Sequence, residues 1–595
     1  MDNLKTLIKS KLAQVINEIY GIDIKDDELF LETPPKKELG DYAFPCFGLS
    51  KLLKKGPAQI GQEIIDFVNK NKDRFDVFSS LEIAGPYLNL KINKLEIISL
   101  INDYNINKFT ENHRDDTIIV DYIGANVGKP LHIGHMCTPN QGQAMINVYK
   151  RLGFNVISDS HIGDWGIIFG KLILAYKMWG DEEKLKENAV EHLFELYVKV
   201  TTESESNNSL EDDFRKQFKL LSEGNTESIE LWRKFTRYSI DAMNILLGKL
   251  NIKPDYNIGE SFYEGLGLPK MENYPDLNYS MKMIVEELVT KGIATKNEDN
   301  SVGVVFPEYT KLPSCVLQKR DGTHGYLASD LACVKYRVEN WNPWNIIYFV
   351  DVRQQLHLKQ VFEIANMAGW IDKKKLIHAY NGFISLKDGA MSTRKGRIIK
   401  LDTLLDEAES RAKKIILEKR QDFTEEELNE ISKVVGIGAI KYGYLKKSRE
   451  TDVIFDWDEF MTFEGNSGPY IQYAYVRAKR ILEKSQDFEY KQILENYEEV
   501  KDKVKEESLN LIKLLVSYTT KDGILVETAE KNMPHILANY CYELTKAFNA
   551  FYNNVEVLGE ENIKIKKLAL SLTNHFAETI KQAFDILGID MPEKM

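Results

Sequence analysis

The residues able to do chemistry gather at two places far apart in the chain. Residues 125–135 read Ala-Asn-Val-Gly-Lys-Pro-Leu-His-Ile-Gly-His, and Met-Ser-Thr-Arg-Lys-Gly begins at Met391, 256 positions after His135. Together they suggest a split site for a nucleotide triphosphate. His132 and His135 are three apart at the start of a helix-like stretch, so both rings can project to one face. Two donors there suit a developing phosphate charge. Gly134 between them carries no side chain, which would let an adenine or ribose lie against the backbone. Ser392, Thr393, Arg394 and Lys395 follow the turn Lys387-Asp388-Gly389, a placement that suits a cationic loop clamping a triphosphate. Singly, each element has a plainer reading: a pair of surface histidines, and a solvated basic turn. Zinc does not fit, because no third ligand stands near the histidines.

Positioning these groups is the work of the flanking elements. The apolar run Thr117–Tyr122 precedes the first motif and a helix-like stretch, Gln143–Lys150, follows it. The motif therefore sits on a strand-to-helix turn, where free backbone N–H groups and the helix dipole bind phosphate. Phe154–Ser158 completes a βαβ unit, and strand patterns recur at Val302–Phe306, Cys315–Gln318 and Ile346–Val350. Strands alternating with helices predict a parallel, Rossmann-like sheet over 112–405, with a charged helical insertion at about 181–245. Residues 1–105 mix a helix stripe (Leu4, Leu7, Ile8, Leu12, Val15, Ile16) with strand-like Leu81–Leu90, as expected for a small α+β domain. From 420 to 595 nearly every apolar residue has helical spacing, which predicts an all-α bundle. The expected helices there are Glu425–Lys446, Ile471–Leu482, Leu509–Glu527, Ile536–Tyr552 and Leu568–Leu587, after one at Leu404–Leu417.

Bulk properties narrow the classes. A chain of 595 residues is too long for one core. A net charge of −12 argues against a protein that coats nucleic acid, though local basic faces can still bind RNA. Five scattered cysteines without a Cys-x-x-Cys pair fit neither a zinc ribbon nor a disulfide framework. No apolar run approaches the roughly 18 residues of a membrane span and no signal peptide is visible, so a cytoplasmic location is expected.

The motif pair resembles that of class I aminoacyl-tRNA synthetases, whose His-Ile-Gly-His and Lys-Met-Ser-Lys-Ser motifs bracket ATP. The second motif stands here as Ala390-Met391-Ser392-Thr393-Arg394. Further signatures make the chain similar to the arginyl-tRNA synthetase family: His161-Ile-Gly-Asp-Trp-Gly166, Gly259-Glu-Ser-Phe-Tyr263, Gln318-Lys-Arg-Asp-Gly-Thr323, Tyr326-Leu-Ala-Ser-Asp-Leu-Ala332, Gln354-Gln-Leu-His357 and Gly468-Pro-Tyr-Ile-Gln-Tyr-Ala474. The resemblance runs along nearly the whole chain.

It implies an enzyme that activates L-arginine with ATP, accompanied by Mg2+, and passes arginine to the 2′-hydroxyl of the terminal adenosine of its tRNA. The family's arginine-contacting positions fall on Gly124, Ala125, Asn126, His135, Tyr326, Asp330 and Gln354. Tyr326 and Asp330, four apart, share a face if helical, and a carboxylate beside a phenol suits a planar guanidinium. Glu260 offers a second carboxylate, and Asp121 at the strand end is placed to attract the substrate ammonium. For ATP the resemblance points to His132, Gly134, His135, Met391 and Ser392. Ala390 stands where the class usually has lysine, which shifts phosphate neutralisation to Lys129, Arg394 and Lys395. No bound metal site is expected in the protein itself.

The same resemblance makes 1–105 a module touching the outer corner of tRNA, with Tyr42 and Phe44 as contacts, and 420–595 the anticodon-binding bundle. Tyr470, Tyr473, Tyr475, Arg477, Lys479, Arg480, Tyr540 and Tyr542 there could stack on unpaired bases, and the basic run Lys441–Arg449 could attract phosphates. A monomer is the expected state. The main rival is a catalytically silent synthetase-like protein that binds RNA; a second is an ATP-dependent ligase that uses no tRNA.

Overall fold

The structure, a computed structural model, describes residues 4–595 apart from 33, 103, 108–112, 114, 208, 267, 269, 271, 387–398, 421, 486–496 and 521. The chain divides into two compact units. One comprises the chain up to residue 111 with 473–527 and 540–582; the other comprises 112–472, 528–539 and 583–595.

In the first unit, helix Leu4–Tyr20 buries Leu4, Ile8, Leu12, Val15 and Ile16, a stripe at 3.6-residue spacing facing its core. The strands β1 (Tyr42–Pro45), β2 (Phe78–Ala84) and β3 (Tyr87–Ile92) form an antiparallel sheet in the order β1-β3-β2. The expected strand Leu81–Leu90 is thus a hairpin, broken at Gly85-Pro86 because proline cannot donate to a ladder and Gly85 adopts a φ of +61°. Phe44, expected at an RNA surface, lies in this core at 2% exposure. The expected helix Leu509–Glu527 is two helices, Glu506–Val516 and Ile524–Lys531. Thr519, Thr520, Asp522 and Gly523 intervene, residues whose side chains or freedom favour turns over helix.

In the second unit the strands in chain order are β4 (Thr117–Asp121), β5 (Asn155–Asp159), β6 (Thr295–Lys296), β7 (Val302–Val304), β8 (Cys315–Gln318), β9 (Asn345–Tyr348), β10 (Leu376–His378), β11 (Ile384–Leu386) and β12 (Val453–Phe455). A parallel sheet runs β10-β9-β4-β5, with Ile119 paired to Ile157 on one side and Ile346 on the other. Ile118, Ile119 and Val120 are all but inaccessible, as strands covered on both faces must be. From β4 the chain moves outward to β5, then returns across to β9, so the carboxyl end of β4 is a topological switch point, where such sheets open a crevice.

Val302–Phe306 and Cys315–Gln318 do not extend this sheet, contrary to the expectation from alternation. They form the antiparallel sheet β6-β7-β8. The link from Val304 to Cys315 is too short for a parallel crossover, and Val305 and Val316 point to solvent at 79% and 56% exposure, as one-sided strands allow. The insertion is helical, with helices Glu182–Glu187, Ala189–Ser206, Ser209–Ser222 and Thr226–Gly248. Ala175, Leu196, Val200, Leu210 and Phe214 form a small core of their own there. Helices Leu401–Lys419 and Glu425–Leu445 follow the sheet.

Candidate active site

The loop leaving β4 carries the first motif. Gly124, exposed at a φ of +53°, turns the chain, Ala125 is buried, and Asn126 projects outward. The Ala125 carbonyl accepts from Gly163 N–H (2.9 Å) and Val127 N–H donates to the Gly163 carbonyl (3.1 Å), so the loops after β4 and β5 are tied together. A Cβ on Gly163 would stand 2.3 Å from Asn126 Oδ1, so a larger residue there would displace that amide.

His135 lies in a single 3-10 turn, Ile133–Met136, that His132 caps from an extended conformation, rather than in the first turn of an α-helix. His132 Nδ1 accepts from Gly134 N–H (3.1 Å) and His135 Nδ1 accepts from His132 N–H (3.1 Å). A nitrogen that accepts carries no proton, so each neutral ring keeps its hydrogen on Nε2. Burial pushes the His135 pKa down to about 3, with the neighbouring His132 adding to it, and burial lowers His132 as well. The pair, with ring centroids 4.2 Å apart, is therefore a set of two neutral Nε2–H donors, not two cations. A Cβ at Gly134 would meet the His132 ring at 2.7 Å (Cε1), so that glycine first of all makes room for its neighbour.

Met391, Ser392, Arg394 and Lys395, with Ala390, lie outside the described residues. Both flanks of that segment are fixed. On one side β11 pairs with β12; on the other, Ile133 N–H donates to the Ile399 carbonyl (2.9 Å) and Leu401 N–H to the Leu131 carbonyl (3.0 Å). Residues more than 260 positions apart thus pair in an isolated bridge, His132 with Lys400. Lys129 holds its ammonium 4.7 Å from the Tyr197 ring centroid, and Lys400 Nζ pairs with Glu191 (2.5 Å). Both lysines line a cavity of about 240 Å³ between the β4 loop and helix Thr226–Gly248, with Asn126, Leu131, Ile240 and Met243.

The second cluster sits on helix Tyr326–Trp341. Tyr326 opens it at 69% exposure and Asp330 follows one turn later on the same face. Asp330 Oδ2 is 2.5 Å from His357 Nε2, on helix Gln355–Met367 after β9. Its Oδ1 is 3.5 Å from His161 Nε2, just beyond β5. Burial would raise the Asp330 pKa, but the His357 hydrogen bond and the charge of both histidines outweigh it and hold the carboxyl below its usual value. Glu260 stands in the turn Glu260–Glu264, fixed by Asp164, whose carboxylate accepts from Ser261 N–H (2.8 Å) and Oγ–H (2.6 Å). Burial raises Glu260 to about 7, with Asp330 and Asp164 working in the same direction against His161. Gln354 is exposed in the turn Val352–Gln354.

Asp121 is not free to attract an ammonium. It is 4% exposed, and its Oδ2 accepts from Arg337 Nη2 (2.8 Å), which also donates to Asp159 Oδ2 (2.7 Å). Arg337 is wholly buried, three turns along the helix from Tyr326, so its charge is spent inside the sheet's edge. Sequence reasoning missed Arg337 and Asp159, and gave no role to His161 or His357 although both stand in recognisable signatures. A charge in an otherwise apolar helix face and strand end was the available signal; its partners lie 178 and 216 positions away.

The expected RNA-facing groups divide sharply. Lys441 is 1% exposed, Tyr442 and Tyr444 are buried, Lys446 and Lys447 pair with Glu459, and Arg449 donates to the Tyr380 and Asn532 carbonyls. The run 441–449 is therefore core and not a basic surface. Tyr475 and Tyr540 are buried as well, the latter stacked on Tyr518. Tyr473 is 40% exposed, and Arg477 lies between its ring (5.1 Å) and that of the equally exposed Tyr552 (4.8 Å).

Among known families, the one described as "tRNA synthetases class I (R), catalytic domain" matches residues 97–457, the "DALR anticodon binding domain" 471–595 and the "Arginyl tRNA synthetase N terminal domain" 3–92. The chain is 35% identical to an arginine–tRNA ligase of Clostridium botulinum and 37% to that of Clostridium perfringens, each alignment covering 99% of this chain and all of the relative. The fold matches an arginyl-tRNA synthetase of Thermus thermophilus with a TM-score of 0.78 at 23% identity over 99% of both chains. It matches one of Plasmodium falciparum with 0.76 at 24%, over 100% of this chain and 99% of the other. A parallel sheet with the histidine turn at its switch point, bridged to the chain beyond a second motif, defines a class I aminoacyl-tRNA synthetase. Full-length identity above one third then decides the branch. The chain belongs to the arginyl-tRNA synthetase family.

Proposed function

We propose that this chain catalyses ligation of L-arginine to tRNA in two steps at the crevice beyond β4. The arginine carboxylate attacks the α-phosphate of ATP in line, giving arginyl-adenylate and pyrophosphate; the 2′-hydroxyl of the terminal adenosine then takes the arginyl group. The observation that carries this reading is the position of Asp330, a carboxylate held at the meeting point of the β5 and β9 loops beside Tyr326. A guanidinium binds such a carboxylate through charge-assisted, two-pronged hydrogen bonds.

In this reading Tyr326, Asp330 and Glu260 take the guanidinium, and Asn126, Gln354 and the Gly124–Ala125 backbone take the amino and carboxyl groups. Asp121, tied to Arg337, supports the strand end instead of touching substrate. His132 and His135 donate from Nε2 to phosphate oxygens as charge develops, and the hydrogen-bond pattern of their Nδ1 atoms supports that assignment. Lys129, Arg394 and Lys395 supply the positive charge that Ala390 lacks. Chemistry here is positioning and charge neutralisation, with no covalent enzyme intermediate. Mg2+ enters with the triphosphate, its hard-oxygen preference met by phosphate oxygens. No group of three metal-ligating side chains occurs among the described residues.

Residues 1–105 serve tRNA's outer corner, 112–405 the chemistry and 420–595 the anticodon, where the exposed Tyr473, Arg477 and Tyr552 suit stacking on unpaired bases. No helix among the described residues is long and apolar enough to cross a membrane. The enzyme works in the cytoplasm. It acts as a monomer. Pyrophosphate exchange with each amino acid, with and without tRNA, tests the reading. Exchange with arginine alone, dependent on tRNA, is expected; exchange driven by another amino acid would overturn the specificity, and no exchange with any would favour the silent RNA-binding rival.

A further inference from the structure

Helix Ala189–Ser206 of the insertion addresses two lysines, one on each side of the histidine turn, and treats them differently. Its Glu191 takes the ammonium of Lys400 at 2.5 Å, a tie that spends the charge. Its Tyr197 offers a ring face to Lys129, whose Nζ stands 4.7 Å from the centroid. An aromatic face holds a cation through its quadrupole yet leaves the positive charge whole for another partner. Among the described residues no carboxylate is paired with Lys129.

The backbone of Lys129 is held on both sides. Gly128 N–H donates to the buried Ser239 Oγ (3.1 Å) on helix Thr226–Gly248. Gly128 has a φ of +74°, and a Cβ there would stand 2.8 Å from Leu172 Cδ1, so the loop lies hard against helix Ile167–Trp179. Pro130 follows, and its ring turns Lys129 away from helical backbone angles. What remains free is a flexible stem of four carbons. The ring of Tyr197, half-buried on its helix, is the surface that selects among the positions this stem can take. Lys171 shares that ring more distantly, at 5.9 Å, and leans on Phe214 at 5.1 Å.

We propose that Tyr197 is a positioning residue for arginine activation: its ring holds the Lys129 ammonium ready for the phosphates of ATP, so the helical insertion reaches the chemistry through one cation–π contact. This rests on the reading of Lys129 as a lysine that supplies the charge Ala390 lacks. A charge already in place needs no ordering when the transition state forms, whereas a lysine free to wander must be ordered at that moment. Loss of the ring should therefore fall on the rate of adenylate formation and not on arginine affinity. Tyr197 itself touches no substrate.

Arginine-dependent pyrophosphate exchange by the full-length chain, with tRNA present, tests the proposal. Tyr197→Leu should lower kcat about three- to tenfold at an unchanged arginine KM, the range of one partly desolvated cation–π contact. Tyr197→Phe, which keeps the ring face, should recover most of that rate. Pentafluorophenylalanine at position 197 keeps the shape and reverses the ring's quadrupole, so it should repeat the leucine loss in a chain that unfolds at the wild-type midpoint. In the Lys129→Ala background, Tyr197→Leu should add no further loss. Wild-type exchange with the fluorinated ring, a raised rate in Tyr197→Leu, or losses that multiply in the double variant would each overturn the proposal. Lys129→Ala separates the two levels. Full activity there removes the reading of Lys129 and the proposal with it, whereas a large loss there beside an unaffected Tyr197→Leu removes the proposal alone.

Discussion

Replacing Asp330 by asparagine is the sharpest test of the substrate assignment, because it keeps the side chain's size and removes only its charge and one acceptor. The carboxylate is a quarter exposed and faces His357 at 2.5 Å and His161 at 3.5 Å. An asparagine amide has one acceptor and one NH2 group, so it keeps one histidine and turns a donor against the other. It also presents a donor to a guanidinium, which has donors only. Truncating one partner of a hydrogen-bonded charge pair costs about 2–5 kcal/mol. Partial exposure lets water compensate in part, so we take roughly 3 kcal/mol, equivalent to a KM for arginine raised ~150-fold. The assay is aminoacylation at saturating ATP and tRNA with arginine varied, alongside the ATP KM in the same variant. The loss should fall on arginine and spare ATP. An arginine KM within about threefold of wild type, less than ~0.7 kcal/mol, would refute the argument, as would an equal loss for both substrates.

Three further outcomes follow from the geometry. Gly134→Ala places a Cβ 2.7 Å from His132 Cε1, so the ring must rotate and lose its hydrogen bond from Gly134 N–H. Arginine-dependent pyrophosphate exchange should fall about tenfold or more with an unchanged unfolding midpoint, and an unaltered kcat would contradict the role given to that ring. Lys129→Ala should lower adenylate formation by about two orders of magnitude, as expected for a lost charge-stabilising contact. Removing the exposed Lys282 should do nothing, and equal effects of the two would sink the assignment. Lys441 is buried, with its ammonium donating to the Leu250 carbonyl, and burial pushes its pKa down to about 7. Unfolding restores its ordinary value, so between pH 7 and about 10 the unfolded chain binds one proton more than the folded one. Stability therefore rises with pH across that window by up to about 1.4 kcal/mol per unit, and the burial cost is fully present below it. Lys441→Met should flatten this slope in denaturant titrations at pH 7 and 9, and parallel slopes in both proteins would count against the explanation.

Much of this was legible in the residues. The strand-turn-helix around His132 and His135 follows from an apolar run, a glycine-containing turn and a helical pattern in immediate succession, all of them local. The helical insertion and the C-terminal helices show in 3.6-residue spacing for the same reason. The pairing of Tyr326 with Asp330 needed only the rule that positions four apart share a helix face.

What local pattern could not carry were the choices made between distant segments. Whether Val302–Val304 joins the parallel sheet or a separate antiparallel one depends on the short link to Cys315, not on its own apolar residues. Lys441–Arg449 looks like a basic surface because charge is counted along the chain, whereas its burial depends on what packs over it. Asp121 is the clearest case. As a carboxylate at a strand end it is equally fit to meet a substrate ammonium or a core cation, and only the fold, by bringing Arg337 from 216 positions away, decides that it meets the cation. By itself, then, the sequence determined the reaction class and the elements that carry its groups, since those depend on residue type and near neighbours. The tertiary structure decided which charges are free to act: it set two neutral histidine donors on the switch-point turn, bridged that turn to the far flank of residues 391–396, and placed His161 and His357 on Asp330.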